Sequence, residues 1–159
     1  MHRRSFLATA LVALTSGAAF PAAPARRLGP LTITDAWARP TPPGAPTGAG
    51  YLTIRNAGPA PDRFLGGSSP ICRSLELHRM SNEGGIMRMR AVAEGVAVPP
   101  GGEVRLAPGG LHIMMIGLRR PLAPGDRFPV RLRFQRAGAI EIPFTVEQRP
   151  ARPASHAGH

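Results

Sequence analysis

Short runs of alternating apolar and polar residues, separated by turns rich in Gly and Pro, constrain the fold more than any other feature of this chain. A period of two places successive side chains on opposite faces, which is typical of half-buried strands. No stretch shows the period of an amphipathic helix. We therefore expect about seven to nine strands in an all-β, antiparallel sandwich or Greek-key β-barrel. The runs occupy residues 31–34, 51–55, 75–78, 130–134 and 140–146, and the turn signals occupy residues 40–50, 58–61, 66–70, 99–102, 108–110 and 124–125.

The first 25 residues have the order of an export signal. Arg3 and Arg4 precede a mildly apolar stretch over residues 8–20, and small residues at 23–25 provide a cleavage site. The arginine pair followed by Phe6 and Leu7 resembles a twin-arginine signal, while the general secretion route stays open. The pattern predicts a periplasmic protein.

One domain follows the export signal. We expect it to span residues 26–148, with a flexible, His-containing tail over residues 149–159 where the alternation is lost. No apolar run in this part approaches the ~20 residues of a membrane-spanning helix. The mature protein is therefore expected not to span a membrane.

Composition argues against several functions. Removal of Arg3 and Arg4 with the signal lowers the net charge from +11 to +9, but the arginines are scattered and the chain is only 5% aromatic, which argues against nucleic-acid binding. Cys72 is the only cysteine, so it forms no internal disulfide, zinc cluster or redox pair, and we expect it to fill the core. No G-x-S-x-G motif occurs, and the sequence therefore predicts a binding protein with no catalytic residues.

Methionine and histidine cluster in one part of the chain. Apart from the initiator, all methionines lie between residues 80 and 115. Residues two apart on a strand share a face, which pairs His78 with Met80, Met87 with Met89, and His112 with Met114. Glu76 lies on the same face as His78, where its carboxylate could hydrogen-bond the imidazole or face solvent.

Thioether and imidazole groups together favour Cu(I) over harder cations. Three or four such ligands from different strands would hold the ion near the surface, which suits transfer. Methionine is also a common core gap-filler, and this interpretation is favoured for Met115, which shares a face with Leu111 and Ile113. For Met87 the two interpretations are equally weighted, since either Met87 or Met89 could point into the core.

The spacing of these residues resembles the signature of the periplasmic PCu(A)C-type copper chaperones. His78 is followed by ten residues and Met89, then by 22 residues and His112-Ile113-Met114, as in that family. Further segments that are similar to the family lie at residues 36–40, 48–56, 76–78, 87–90 and 108–114, so the resemblance covers residues 31 to about 147.

The resemblance implies a cupredoxin-like Greek-key β-barrel that binds one Cu(I) as a non-enzymatic chaperone. By position, the metal ligands are His78, Met89, His112 and Met114, with Met80 either as a substitute ligand or as a residue that supports the ligands. The implied partners are the copper-accepting domain of a respiratory cytochrome oxidase and a thioredoxin-like copper chaperone. In the tail, His156 and His159 could form a weak Cu(II) site, although a solvated tail is favoured.

Two other functions remain open at this point. A secreted β-sandwich adaptor or assembly protein would use its methionines only for packing. A periplasmic copper buffer for detoxification would share the site and differ from a delivery protein only in its partner.

Overall fold

The computed structural model describes residues 24–150. Most of the predicted export signal and all of the chain after residue 150, including His156 and His159, lie outside this range. Eleven strands and no helix occur within it. The strands are β1 Arg26–Leu28, β2 Leu31–Ala38, β3 Thr47–Asn56, β4 Asp62–Ser68, β5 Cys72–Glu83, β6 Ile86–Ala91, β7 Val96–Val98, β8 Glu103–Leu106, β9 Leu111–Leu118, β10 Arg127–Phe134 and β11 Gly138–Val146.

Seven strands form a closed barrel. Their hydrogen-bonded order is β2, β11, β10, β4, β5, β9 and β3, and pairing of β3 with β2 closes the ring. The other four strands are short and each pairs with one barrel strand, β1 with β2, β8 with β3, β6 with β5 and β7 with β4. The predicted all-β barrel is confirmed, and these short strands raise the strand number to eleven.

One pair in the barrel is parallel. Strands β11 and β2 pair in this way through Thr145 opposite Trp37 and Val146 opposite Ala38, whereas the other pairs are antiparallel. These two strands lie near opposite ends of the chain, so no hairpin sets their relative direction.

Two predicted turns are partly strand. Strand β3 already begins at Thr47, and β4 continues through Gly66 and Gly67. Gly66 has φ +95°, and a Cβ on Gly67 would collide with the backbone of Arg131 in β10. These glycines therefore permit close approach of a neighbouring strand at an irregular part of the ladder, where the sequence suggested a turn.

The core fills the inside of the barrel with aliphatic and aromatic side chains. Met115 is 1% exposed and lies in this core, which confirms its predicted packing role. Cys72 is a buried free thiol, also as predicted. The largest fully buried side chains are Phe64, Phe144, Leu31, Ile33, Leu52, Ile54, Ile113, Met115, Leu122, Leu132, Ile142 and Val98. Within the part of the chain that is described, no helix is long and apolar enough to cross a membrane.

Arg149, which the sequence assigns to the tail, is held against the barrel. Its guanidinium lies 4.4 Å from the centre of the Trp37 ring. It also donates hydrogen bonds to the carboxylates of Asp35, at 2.8 Å and 3.1 Å, and Glu147, at 2.6 Å. The segment after β11 is therefore anchored beside β2 at least as far as Arg149.

Candidate metal centre

Cross-strand register brings the predicted ligands together on one outward face of the barrel. His78 in β5 lies opposite His112 in β9, and Met80 in β5 lies opposite Met89 in β6. Met114 follows two residues after His112 and therefore shares its face. Directly opposite residues also share a face. Three strands thus contribute imidazole and thioether groups to a single surface.

An open depression of about 250 Å³ occupies this surface. It is lined by four of the clustered side chains, Met80, Met89, His112 and Met114. The remainder of its wall consists of Arg39, Thr41, Thr47, Gly48, Ala49, Tyr51 and Gly109. His78 does not line the depression, but its ring centre lies 5.9 Å from that of His112.

His112 is oriented with one ring nitrogen occupied and the other available. Its Nδ1 lies 3.1 Å from the carbonyl oxygen of Gly110, which accepts a hydrogen bond only if Nδ1 carries the proton. This arrangement leaves the lone pair on Nε2. Burial lowers the pKa of His112, the Gly110 carbonyl raises it to a smaller extent, and nearby His78 lowers it again, with a net decrease. His112 is therefore neutral at neutral pH and can act as a metal ligand.

His78 is oriented by a carboxylate. Its Nε2 lies 3.0 Å from Glu76 Oε2, as the sequence suggested. When Glu76 is ionised, Nε2–H donates to it and Nδ1 carries the lone pair. His78 Nδ1 is buried and has no hydrogen-bond partner among the described residues. An unsatisfied buried polar atom costs about 1–3 kcal/mol, and coordination of a metal ion would offset this cost.

The structure distinguishes Met89 from Met87. Both side chains are about half exposed, because β6 pairs only with β5 and covers no core. The expectation that one of them could point into the core is therefore wrong. Met89 lies opposite Met80 and lines the depression, whereas Met87 lies opposite Asn82, two residue pairs further from the histidines along the ladder.

Part of the wall was not anticipated from the sequence. Arg39 and Thr41 lie in the loop that follows β2, and Thr47 lies at the start of β3. The pairing of β3 with β9 brings this region beside Met114. Although Arg39 lies in a segment that resembles the family, nothing in the sequence placed these residues beside the ligands, and only the pairing of β3 with β9 does so.

An aromatic pair forms the neighbouring part of the face. Trp37 and Tyr51 lie in paired strands with ring centres 4.6 Å apart, and both are buried although they are not part of the core cluster. Burial raises the pKa of Tyr51 more than the charge of Arg39 lowers it. The Tyr51 hydroxyl therefore stays neutral beside the depression.

The donor set is suited to a soft cation. Among residues 24–150 there is no group of three or more His, Cys, Asp or Glu side chains that could hold a metal ion. Hard divalent cations prefer oxygen ligands, whereas thioethers with neutral imidazoles suit Cu(I). The two histidines are supplemented by methionines, and the cluster therefore favours Cu(I).

Comparisons with known proteins identify related sequences. A family model described as "Putative lipoprotein LpqE-like" matches residues 31–146. A relative from Leifsonia xyli subsp. xyli, also named a "putative lipoprotein", is 32% identical over 149 residues, covering 91% of this chain and 89% of the relative.

Solved structures are similar over most of the chain. The copper-bound PCuAC domain of PmoF2 has a TM-score of 0.68 at 24% identity and covers 80% of this chain and 100% of that one. The Cu(I) form of DR1885 from Deinococcus radiodurans has a TM-score of 0.59 at 27% identity, with coverage of 72% and 76%. The predicted cupredoxin-like barrel is confirmed by these likenesses.

Proposed function

Because the chain belongs to the LpqE-like family, which is the PCu(A)C family that its sequence resembles, we propose that it is a periplasmic copper chaperone. It binds one Cu(I) on the outward face of the barrel and delivers the ion to the copper centres of a respiratory cytochrome oxidase. One observation carries this proposal: β5, β6 and β9 present the imidazoles of His78 and His112 together with methionine thioethers on one surface. The ligands are His78, Met89, His112 and Met114, with Met80 beside them.

The chemistry of these side chains suits Cu(I) as a cargo. Thioethers are neutral and need no deprotonation, so only the histidines make capture depend on pH. His112 Nε2 and His78 Nδ1 are the nitrogen atoms that hydrogen bonds leave with a lone pair. The Cu(I) form of the relative from Deinococcus radiodurans, at 27% identity, supports the same cargo here.

Delivery is supported by the openness of the site and by charge. The depression opens to solvent, so a partner's ligands could reach the ion before the chaperone's own ligands leave. The mature chain has a net charge of +9 after loss of the two signal arginines from +11, which would attract an acidic acceptor domain over long range. A thioredoxin-like copper chaperone is the second expected partner.

A Cu(I) competition experiment tests the site. The mature chain, residues 26–159, is titrated against a coloured Cu(I) chelator under anaerobic, reducing conditions. We expect one tightly bound equivalent in the wild type and its loss in a His112→Ala/Met114→Ala variant. If neither protein competes with the chelator, the proposed Cu(I) site is refuted and the adaptor function takes first place.

The two exposed methionines of β6 provide a matched pair of variants. Met89→Ala removes a proposed ligand, whereas Met87→Ala removes the same side chain from the same strand face outside the depression. We expect weaker Cu(I) binding only in Met89→Ala. Equal losses in both variants would contradict the assignment of Met89.

A transfer experiment separates delivery from buffering. The Cu(I)-loaded chain is mixed with the apo copper-accepting domain of the respiratory oxidase, and the metal content of both proteins is measured after their separation. A delivery protein transfers the ion, with a rate that falls as salt screens the basic surface. Retention of copper by the chain would favour a buffer.

A further inference from the structure

The hairpin formed by β5 and β6 projects beyond the barrel. After Met80, β5 pairs with β6 alone, and every residue of β6 is exposed. Three of the four exposed large hydrophobic side chains among the described residues lie in β6: Ile86, Met87 and Met89. This hairpin therefore presents unusual apolar surface, with Met87 on the same face as the proposed copper ligand Met89.

The outer edge of β6 carries unpaired backbone groups. The N–H of Val92 donates to the carbonyl of Leu77, which makes His78 and Ala91 a non-hydrogen-bonded pair of the antiparallel ladder. Hydrogen-bonded and non-hydrogen-bonded pairs alternate, so the backbone groups of Met87 and Met89 point away from β5. Within residues 24–150, β6 pairs with no other strand.

The register of β9 supports this assignment. Met80 lies opposite Met89 in a non-hydrogen-bonded pair, so its own N–H must point away from β6. That N–H donates to the carbonyl of Gly110 on the opposite side of β5. The edge of β6 is therefore open to addition of another strand.

The two faces at this edge differ in charge. Met87 and Met89 lie on the copper side, whereas Arg88 and Arg90 lie on the reverse side. Arg79 lies opposite Arg90 on that reverse face, and Glu83 is the one acidic residue there, with its carboxylate 3.0 Å from Arg88 and 3.3 Å from Arg90. Three arginines against one glutamate leave this face positively charged.

Charge complementarity identifies the occupant. An added strand places alternate side chains beside the methionines and beside the arginines. Two copies of β6 paired edge to edge would bring arginines of both copies together on one face, which is unfavourable. An acidic side chain at every second position would instead meet the positive face.

We propose that the free edge of β6 binds an extended segment of a partner protein that carries acidic side chains at alternate positions. The inference rests on the proposed function, because such a segment places the copper acceptor beside Met89. Its other alternate side chains lie on the copper face, where they can contribute ligands during transfer.

The test uses a short blocked peptide of alternating Glu and Val and the ¹⁵N-labelled mature chain. We expect the peptide to shift the amide resonances of Met87 and Met89 and to bind more weakly as salt is raised. A matched peptide of alternating Lys and Val should cause no such shifts. Equal effects of both peptides, or no change at these two amides, would overturn the proposal.

Two pairs of variants separate the backbone and charge contributions. Met87→Pro removes an N–H that β5 does not use, so we expect the hairpin to persist. Peptide binding should be about tenfold weaker than in Met87→Ala, because Met87→Ala keeps this N–H. Arg88→Glu/Arg90→Glu should also weaken binding about tenfold, whereas Arg88→Lys/Arg90→Lys should retain it. Unchanged binding in Met87→Pro would refute strand addition.

Copper binding and self-association are measured on the same proteins. If the peptide does not bind while Cu(I) is captured normally, the edge proposal fails and the proposed function stands. If Cu(I) is not captured while the peptide binds, the proposed function fails and the binding of an acidic strand at the β6 edge stands. Self-association would slow hydrogen exchange of the Met87 and Met89 amides without peptide, and dilution would abolish this protection. That result would identify a second copy as the occupant and overturn the proposal.

Discussion

Replacement of Glu76 by Ala is expected to weaken Cu(I) binding about tenfold, because Glu76 orients the His78 ring. The carboxylate lies 3.0 Å from His78 Nε2 and leaves Nδ1 as the nitrogen with a lone pair. Loss of such a partner costs about 10–100-fold in metal affinity. The Glu76 side chain is 47% exposed, so water replaces part of the interaction and we expect the lower limit, about 1.4 kcal/mol.

The assay is the chelator competition, with the tautomer of His78 followed by ¹⁵N NMR in the metal-free protein. Glu76→Gln keeps an oxygen that accepts the Nε2–H bond but removes the charge, so an intermediate affinity is expected. Glu103→Ala is the charge control, since Glu103 is exposed on β8 and does not line the depression.

Three results bear on this reasoning. Wild-type affinity in Glu76→Ala, with an unchanged His78 tautomer, would refute the orienting role of Glu76. An equal loss of affinity in Glu103→Ala would show that only the net charge matters. A shift of the His78 ring to a mixture of tautomers, together with the weaker binding, would support the role.

Further predictions concern stability, reactivity and the anchored C-terminal segment. Asp62→Ala should lower the free energy of unfolding by about 3 kcal/mol in urea titrations, because the carboxylate accepts backbone hydrogen bonds from Arg63, Arg136 and Ala137 at 2.7, 2.8 and 2.9 Å. Burial raises the pKa of Asp62, but these bonds and the charge of Arg136 together lower it by more, so the folded-state pKa lies below the ordinary carboxyl value. The stabilising contribution of Asp62 is therefore present above the ordinary carboxyl pKa and is lost as the pH falls through the folded-state pKa. The same titrations at decreasing pH, compared with Asp62→Asn, would detect this loss. Cys72 should react with a thiol reagent only after denaturant is added, since burial raises the pKa of its thiol, and rapid reaction of the native protein would contradict this burial. Arg149→Ala should expose Trp37 and shift its fluorescence to longer wavelength, whereas Arg152→Ala, which lies beyond the described residues, serves as the comparison.

Local pattern predicted five of the seven barrel strands because side-chain alternation depends only on neighbouring residues. Each of the five alternating runs lies within a strand. The pattern failed where glycine was taken as a turn signal, as at Gly66 and Gly67. There the absence of a side chain permits contact with β10, and this requirement comes from a strand about 65 residues away in the sequence.

Local alternation was also insufficient at the candidate site, where contacts with other strands decide which side chains meet. Alternation placed His112 and Met114 on one face and Met115 on the other; Met115 does lie in the core, whereas His112 and Met114 line the depression. It could not choose between Met87 and Met89, because both lie on the same face of the same strand. Pairing with β5 places Met89 opposite Met80 and beside the depression.

The sequence by itself determined the supply of soft ligands, their spacing within each strand and the all-β class, since these depend on residue chemistry and on a period of two. Only the tertiary structure decided which strands meet, because cross-strand register depends on contacts between distant parts of the chain. That register brings His78 opposite His112, buries the His112 ring and leaves the outer edge of β6 open.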